Sequence, residues 1–169
     1  MDKVVKKIIP IILILSLSLM GCGSNKLSNE RVENFSQVNI NDLQKYKGSY
    51  VGDFSKVESI LWKLPANIYK KGISLQTDKE PYGITVNYKV NESLGEEDFY
   101  NFWQGKDVNK VLEKNAIVIL GLISNAENIE FNVDNIVETN YKYNRKDLEK
   151  RYGKDLESLI EDKNSLENI

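Results

Sequence analysis

Two neighbouring segments of the chain alternate between apolar and polar residues, as strands with one buried face do. Residues 71–77 and 82–90 follow this pattern, and residues 78–81 between them read Asp-Lys-Glu-Pro. Asp and Pro are typical of tight connections. With a loop of this length Leu75 lies opposite Ile84, and the apolar groups of both strands share one face. We therefore predict a β-hairpin here.

A second hairpin is predicted from residues 129–133 and 137–143, which alternate in the same way. A two-residue turn would set Phe131 opposite a glutamate and would divide the apolar side chains between the two faces. An odd loop or a bulge restores a single apolar face and sets Phe131 opposite Thr139. We therefore expect an odd loop between these strands.

Apolar residues three or four positions apart predict helices over residues 55–63, 107–124 and 145–162. The pattern S-x-x-E, a capping box, opens the first helix at Ser55. The same pattern opens a shorter helix that ends at Gly105. The order helix, hairpin, helices, hairpin, helices predicts an α+β fold of two layers, with an antiparallel sheet from the two hairpins covered by helices.

The start of the chain has the layout of a bacterial export signal. Three lysines precede an apolar run at residues 8–19, which is too short to cross a bilayer because a crossing helix needs about 20 residues. Leu19-Met20-Gly21-Cys22 then resembles a lipobox, in which the signal is cleaved before a cysteine that carries lipid. Met20 is less usual at its place. The alternative is an ordinary signal peptide with a chance cysteine.

The chain therefore divides into one exported domain and its attachments. Residues 23–37 are rich in Asn, Ser, Glu and Lys and lack an apolar period, which is typical of a flexible tether. Lipid on Cys22 would hold the domain at the outer face of the cell membrane. We predict a lipoprotein signal peptide at 1–21, a tether at 22–37, a single domain at 38–163 and a frayed tail at 164–169.

Composition narrows the chemistry. The chain has no histidine, and Cys22 is its only cysteine. It therefore lacks the residues for Ser-His-Asp and Cys-His catalysis, for histidine-ligated zinc and for disulfides, and we predict no cofactor and no metal. The net charge is −2 and no basic stripe occurs, so nucleic acid is not an expected partner.

Several side chains are candidates for a binding surface. Asp53 and Lys56 flank the start of the first helix, where free N–H groups could hold an anion, although helix capping explains them as well. Tyr82 could lie beside a ligand or pack in the core. Four aromatic residues at positions 99–103 cannot share one helix face, so we expect at least one at the surface. The candidate surface comprises Tyr50, Asp53, Lys56, Tyr82, Phe102 and Trp103.

Two segments carry a resemblance to a known family: Tyr50-Val51-Gly52-Asp53 and Glu80-Pro81-Tyr82-Gly83. Over about residues 46–159 the chain resembles a domain-of-unknown-function family of Gram-positive lipoproteins. That family also occurs at the outer end of membrane proteins related to zinc-peptidase antibiotic sensors of the BlaR/MecR type. Phe54 departs from the small polar residue expected at its position. The resemblance implies the fold and the location, and by association an accessory or sensing role.

We expect a non-enzymatic module, tethered to the membrane through lipid on Cys22, that binds a protein or glycan partner of the cell envelope. One alternative is a carboxylate-based cell-wall glycan hydrolase, for which the sequence offers many acids but no distinguished pair. Another is an inhibitor or immunity-type lipoprotein. The sequence leaves the ligand and the oligomeric state open.

Overall fold

The structure, a computed structural model, describes residues 30–134 and 139–161 together with Leu166 and Ile169. It has the predicted α+β architecture, in which a four-stranded sheet packs against helices. The strands are β1 (Lys70–Gln76), β2 (Gly83–Tyr88), β3 (Asn128–Val133) and β4 (Thr139–Asn144). The helices are α1 (Ile40–Leu43), α2 (Phe54–Leu61), α3 (Glu96–Gln104), α4 (Val108–Leu122), α5 (Arg145–Tyr152) and α6 (Leu156–Glu161).

The first hairpin has the predicted register. Leu75 pairs with Ile84, and Ile73 pairs with Val86. The alternation of β2 sends Ile84, Val86 and Tyr88 into the core, where each is buried. The polar residues between them therefore point to the opposite side of the sheet.

The central strand pair differs from the prediction. The sheet has the order β1-β2-β3-β4, and β2 runs parallel to β3, so the expectation of a wholly antiparallel sheet is wrong at this pair. Parallel neighbours need a long crossover connection, and α3 and α4 provide it between β2 and β3. Val86 lies beside Phe131 and both are buried, so the two hairpins join their apolar faces.

The second hairpin forms with a register two residues away from the predicted one. Phe131 pairs with Tyr141 rather than with Thr139. A shift of two keeps every side chain on its face, so the alternation alone could not separate the two registers. The connecting loop is odd in length, as predicted, and residues 135–138 in it lie outside the described residues, including the first two residues of the predicted strand.

Helix α2 buries the predicted apolar stripe, with Val57, Ile60, Leu61 and Leu64 in the core. The stripe faces α4, which the helix contacts. Burial of these four side chains, at about 1.5–3 kcal/mol for each, stabilises the short helix far more than its intrinsic propensity could.

Both predicted capping boxes are wrong. Helix α2 begins at Phe54 with Asp53 in the N-cap position, and Ser55 Oγ donates to Asp53 Oδ1 over 3.0 Å instead of capping the backbone. Helix α3 begins after Gly95, which makes no side-chain cap, and Ser93 lies outside it. The spacing S-x-x-E was present at both sites, but Ser55 lies inside α2, one residue after its start, and Ser93 lies ahead of the N-cap residue Gly95.

Helix α4 is the centre of the helical layer. From Asn115 to Ile123 every residue is buried, as the continuous apolar run predicts. Arg145, at the start of α5, donates to the carbonyl oxygens of Ile123 (2.9 Å) and Ala126 (3.0 Å). These bonds satisfy carbonyl groups at and just beyond the end of α4 and fasten α5 to it.

Residues 30–37, predicted as part of the flexible tether, lie against the domain. Val32 N donates to Asn67 Oδ1 over 3.0 Å, and Arg31 Nη1 donates to Asp98 Oδ1 over 2.7 Å. The tether prediction is wrong for these residues, because polar groups of the domain hold them. The pattern of apolar residues cannot predict such polar contacts.

The C-terminal helices α5 and α6 occupy the predicted stretch and are separated at Gly153, whose φ is 66°. Leu166, predicted in a frayed tail, is 2 % exposed, so the prediction is wrong at this residue because its side chain joins the core. Within the described part of the chain, no helix combines the length and apolarity that crossing a bilayer requires. The predicted signal peptide and Cys22 lie outside that part.

Candidate functional site

The face of the sheet opposite the helices is polar, and we call it the amide face. Its residues come from alternate positions of the four strands, because the residues between them point into the core. Strand pairing aligns them in three rows across the sheet. The first row is Gly72, Asn87, Asn132 and Asn140; the second is Ser74, Thr85, Glu130 and Lys142; the third is Gln76, Gly83, Asn128 and Asn144.

The first row contains a continuous chain of side-chain amides. Asn140 Nδ2 donates to Asn132 Oδ1 over 2.8 Å, and Asn132 Nδ2 donates to Asn87 Oδ1 over 2.8 Å. All donors point from β4 towards β2, so the amide dipoles add along the row. Next to the final amide lies Gly72, and a Cβ at this glycine would be 3.6 Å from Asn87 Nδ2. The Asn87 amide group is therefore not covered by a side chain from β1.

The second row is electrically balanced. Lys142 Nζ lies 3.4 Å from Glu130 Oε2, and Glu130 also accepts a hydrogen bond from Asn140 of the first row. Ser74 and Thr85 complete the row with hydroxyl groups. The row therefore offers paired charges and neutral polar groups rather than a site of one sign.

The third row repeats the amide arrangement over two strands. Asn144 Nδ2 donates to Asn128 Oδ1 over 2.8 Å. Asn144 also caps α5, since its Oδ1 accepts from Lys146 N over 2.9 Å. Its position on the face is thus fixed from two sides, and Gly83 continues the row into β2.

Three open concavities border these rows. The smallest, about 260 Å³, lies at the Gly72 end of the first row, and another of about 360 Å³ covers the third row. The largest, about 640 Å³, adjoins the third row through Asn144 and is lined also by Glu80, Pro81, Tyr82, Asn125, Glu127 and Lys146. Among the described residues, no group of three or more acidic or cysteine side chains is placed to hold a metal ion.

Tyr82 is the predicted site residue that the structure brings to this region. Its ring packs in part against the core, as one of the two expectations had it, and the residue also lines the 640 Å³ concavity. Glu80 and Glu127 line the same concavity. An aromatic face beside acidic and amide groups can stack on a ring and hydrogen-bond its substituents.

Tyr50, Asp53 and Lys56 form a second exposed group at the start of α2. Tyr50 is 64 % exposed, and Phe54 beside it is 54 % exposed. Lys56 Nζ lies 3.0 Å from Asp53 Oδ2. Hydrogen bonds from Lys56 and Ser55 hold the pKa of Asp53 below its usual value. The two charges neutralise each other, so Lys56 is not available to bind an anion at the start of the helix.

The two segments that carry the family resemblance meet at one edge of the domain. Val51 N, in the first segment, donates to Asn125 Oδ1 over 2.7 Å. Asn125 lines the concavity that Pro81 and Tyr82 of the second segment also line. The shared motifs are therefore neighbours in space, although about 30 residues separate them in the chain.

Phe102 and Trp103 do not belong to a surface. They are 3 % and 2 % exposed, and their rings pack edge to face with centroids 4.8 Å apart. Tyr69 contacts Phe102, and Tyr88 contacts Trp103. The prediction of a binding surface on this helix is wrong at both residues, because the helix turns them towards the sheet, and Tyr100 is the aromatic residue that stays partly exposed.

Sequence reasoning missed the amide face. A signal was present, because asparagine is disfavoured in strands and yet recurs at alternate positions 128, 132, 140 and 144. Asn87, however, joins the first row only through the parallel pairing of β2 with β3. That pairing joins distant parts of the chain, and no local pattern encodes it.

Comparison with known proteins gives a family and no nearer relative. No curated protein and no solved structure matches the chain. Residues 43–144 match one family, and this range contains all four strands, both motif segments and most of the helical layer. The chain belongs to the family described as Domain of unknown function (DUF4825).

Proposed function

We propose that the protein is a lipoprotein held at the outer face of the cell membrane through Cys22, where it serves as a non-enzymatic binding or sensing module of the cell envelope. The amide face is the proposed binding surface. The observation that carries this proposal is the pair of asparagine rows on the exposed side of the sheet. Asparagine is depleted in strands, and its recurrence on one face of a sheet breaks a local rule, as residues of functional sites often do.

Attachment to the membrane is supported by Leu19-Met20-Gly21-Cys22 and the short apolar run before it. The family resemblance adds the lipoprotein setting and the occurrence of such domains at the outer end of BlaR/MecR-like sensor proteins. Together they favour a protein that recognises an envelope component next to the membrane, as an accessory to a signalling or maintenance system.

Anchorage is tested by replacing the cysteine. Wild type should fractionate with membranes and carry lipid on Cys22 by mass spectrometry, whereas Cys22→Ala should lose the lipid and the cleavage before residue 22. Ser24→Ala, two residues further on, is the matched control and should behave as wild type. An unmodified wild-type protein released into the medium would overturn the proposed anchorage.

Binding is tested with isolated envelopes. The mature lipidated protein in detergent should co-sediment with purified cell-wall fragments freed of membrane, and Asn132→Thr, in the centre of the first row, should reduce the retained fraction severalfold. Asn101→Ala is the control, because Asn101 is an exposed asparagine on α3, away from the sheet. Equal retention of the three proteins would exclude the amide face as the binding surface.

One observation favours a second candidate, the carboxylate-based glycan hydrolase. Glu80 and Glu127 line one concavity together with Tyr82, and glycosidases use two carboxyl groups facing across a cleft. The measurement is loss of turbidity of a purified peptidoglycan suspension. Activity in wild type that disappears in both Glu80→Gln and Glu127→Gln would establish the hydrolase and overturn the non-enzymatic role.

A further inference from the structure

We infer that the ligand of the amide face is an uncharged glycan strand of N-acetylated sugars, which lies across the strands along the first row. This inference rests on the binding role proposed above and names the chemistry of the ligand.

The spacing of the row suits a chain of sugar rings. Its amides belong to three adjacent strands, so they repeat at the distance between strands, about 4.8 Å, whereas an extended peptide repeats every 3.3 Å or so. A ligand lying across the strands meets one amide at each repeat. A pyranose unit is comparable in length to the strand separation, and an extended peptide would fall out of step with the row within two residues.

The charge of the face favours an uncharged ligand. Glu130 pairs with Lys142 in the second row, and Lys89 Nζ lies 3.2 Å from Asp134 Oδ2 at the border of the first. Within the three rows, a polyanion or a polycation would have to break the pair of Glu130 and Lys142 to gain an ionic contact, and Lys71, at the border of the first row, lies outside them. The side chains of the three rows are otherwise amides and hydroxyls, so an amphipathic helix would find no apolar surface there.

The amide chain ends in unused groups that match an acetamido substituent. Asn87 Nδ2 has no hydrogen-bond partner among the described residues, and Asn140 Oδ1 at the other end of the row has none there either. An amide carries two donors and two acceptor lone pairs. The row therefore presents donors at one end and an acceptor at the other, which can pair with the carbonyl and N–H of acetamido groups and with sugar hydroxyls.

Glycines in the first and third rows leave room for the ligand. Gly72 has an ordinary backbone conformation, and a Cβ there would make only a van der Waals contact at 3.6 Å. Gly83 is similar, with its nearest contact at 3.6 Å from Asn128 O. The strand pairing is irregular between Lys70 and Gly72, and a glycine in a strand marks either such a bulge or the close approach of a ligand. What the ligand needs is the open space that Gly72 leaves beside Asn87.

The experiment measures binding of a soluble β-1,4-linked N-acetylglucosamine hexamer to the mature lipidated protein in detergent by calorimetry. Asn132→Thr and Gly72→Thr should each weaken binding by about tenfold, the loss expected from one or two hydrogen bonds. Both variants replace a poor strand former by a good one, so they should fold with unchanged or raised Tm. Asn101→Ala should bind as wild type does.

Three outcomes would overturn the inference: no binding of the hexamer by wild type, equal binding by wild type and both threonine variants, or preferential binding of an extended polar peptide or a sulfated glycan. The envelope co-sedimentation test is read separately. Retention on envelopes that depends on Asn132, without binding of the hexamer, would leave the binding module standing and reject the glycan as its ligand.

Discussion

Glu113 shows how a single buried charge can be held in this fold. Its side chain is 8 % exposed on α4, and its Oε1 accepts from Arg151 Nη1 and Tyr152 Oη, both over 2.6 Å. An unpaired carboxylate at this depth would cost several kcal/mol, so the two partners are needed as well as favourable. The apolar spacing of α4 and α5 was readable in the sequence, but this contact was not, because Glu113 looks like any surface glutamate of an amphipathic helix.

Tyr152 makes this contact sensitive to alkaline pH. Burial, together with the hydrogen bond to Glu113, raises the pKa of Tyr152 to about 12. An unfolded tyrosine titrates near 10, so the stability from this group is complete below pH 10 and is lost as the pH rises from about 10 to 12. Burial also raises the pKa of Tyr69, Tyr88 and Tyr143, which adds to the same trend.

We expect Tyr152→Phe to lower the free energy of unfolding by about 1 kcal/mol at pH 7, through loss of the hydrogen bond. The same variant should show a shallower fall of stability between pH 10 and 12 than wild type. Urea unfolding at pH 7, 10 and 11.5 measures both effects. Parallel curves of stability against pH for the two proteins would contradict the role assigned to the hydrogen bond between Tyr152 and Glu113.

At the scale of the elements, the packing of α4 against α6 depends on Gly121. A Cβ at Gly121 would lie 2.8 Å from the carbonyl oxygen of Leu156 and 3.1 Å from Ile160 Cδ1. The first contact is with the backbone of α6, which cannot rotate away as a side chain can. The close approach of α4 and α6 therefore requires the absence of a side chain here.

Gly121→Ala should destabilise the protein by about 1–2 kcal/mol, because overpacking against α6 outweighs the gain in helix propensity of up to about 1 kcal/mol. Gly105→Ala is the matched control, since no atom lies within 4 Å of a Cβ there. Thermal and urea unfolding compare the two. A stabilised Gly121→Ala variant would show that the helices can separate without cost.

The elements themselves were largely predictable, and their arrangement was only partly so. The alternation of apolar and polar residues predicted both hairpins, and apolar residues at helical spacing predicted the buried stripe of α2, because these signals are local. The parallel contact of β2 with β3 and the true pairing of Phe131 depend on how distant segments meet. The amide face shares this limit, since its rows exist only once all four strands are aligned.

At the scale of the whole molecule, residues 30–37 lie across the helical layer, and we call them the strap. Arg31 bonds Asp98, and its guanidinium lies 5.6 Å from the centroid of the Tyr69 ring. Tyr69 Oη donates to the same Asp98 over 2.6 Å. The hydrogen bond from Arg31, and then that from Tyr69, lowers the pKa of Asp98. The contact is therefore complete above the ordinary carboxyl pKa of about 4 and is lost as the pH falls through the lowered value.

Asp98→Asn should release the strap at neutral pH while the core stays folded. Amide hydrogen exchange in residues 30–37 should become faster by tenfold or more, and exchange in β2 should remain unchanged as an internal reference. Wild type brought below pH 3 should show the same selective release. Unchanged protection of residues 30–37 in the variant would mean that Asn67 alone holds the segment.

The strap also sets how far the protein can reach. Under the proposed anchorage at Cys22, and with Glu30 held to the domain by Asn67, about eight residues join the lipid to the domain, and a chain of that length can span no more than about 28 Å. A flexible tether as far as residue 38 would have allowed roughly twice that distance. The domain would then stay close to the lipid headgroups. It would contact material that is newly exported through the membrane rather than the mature wall farther out.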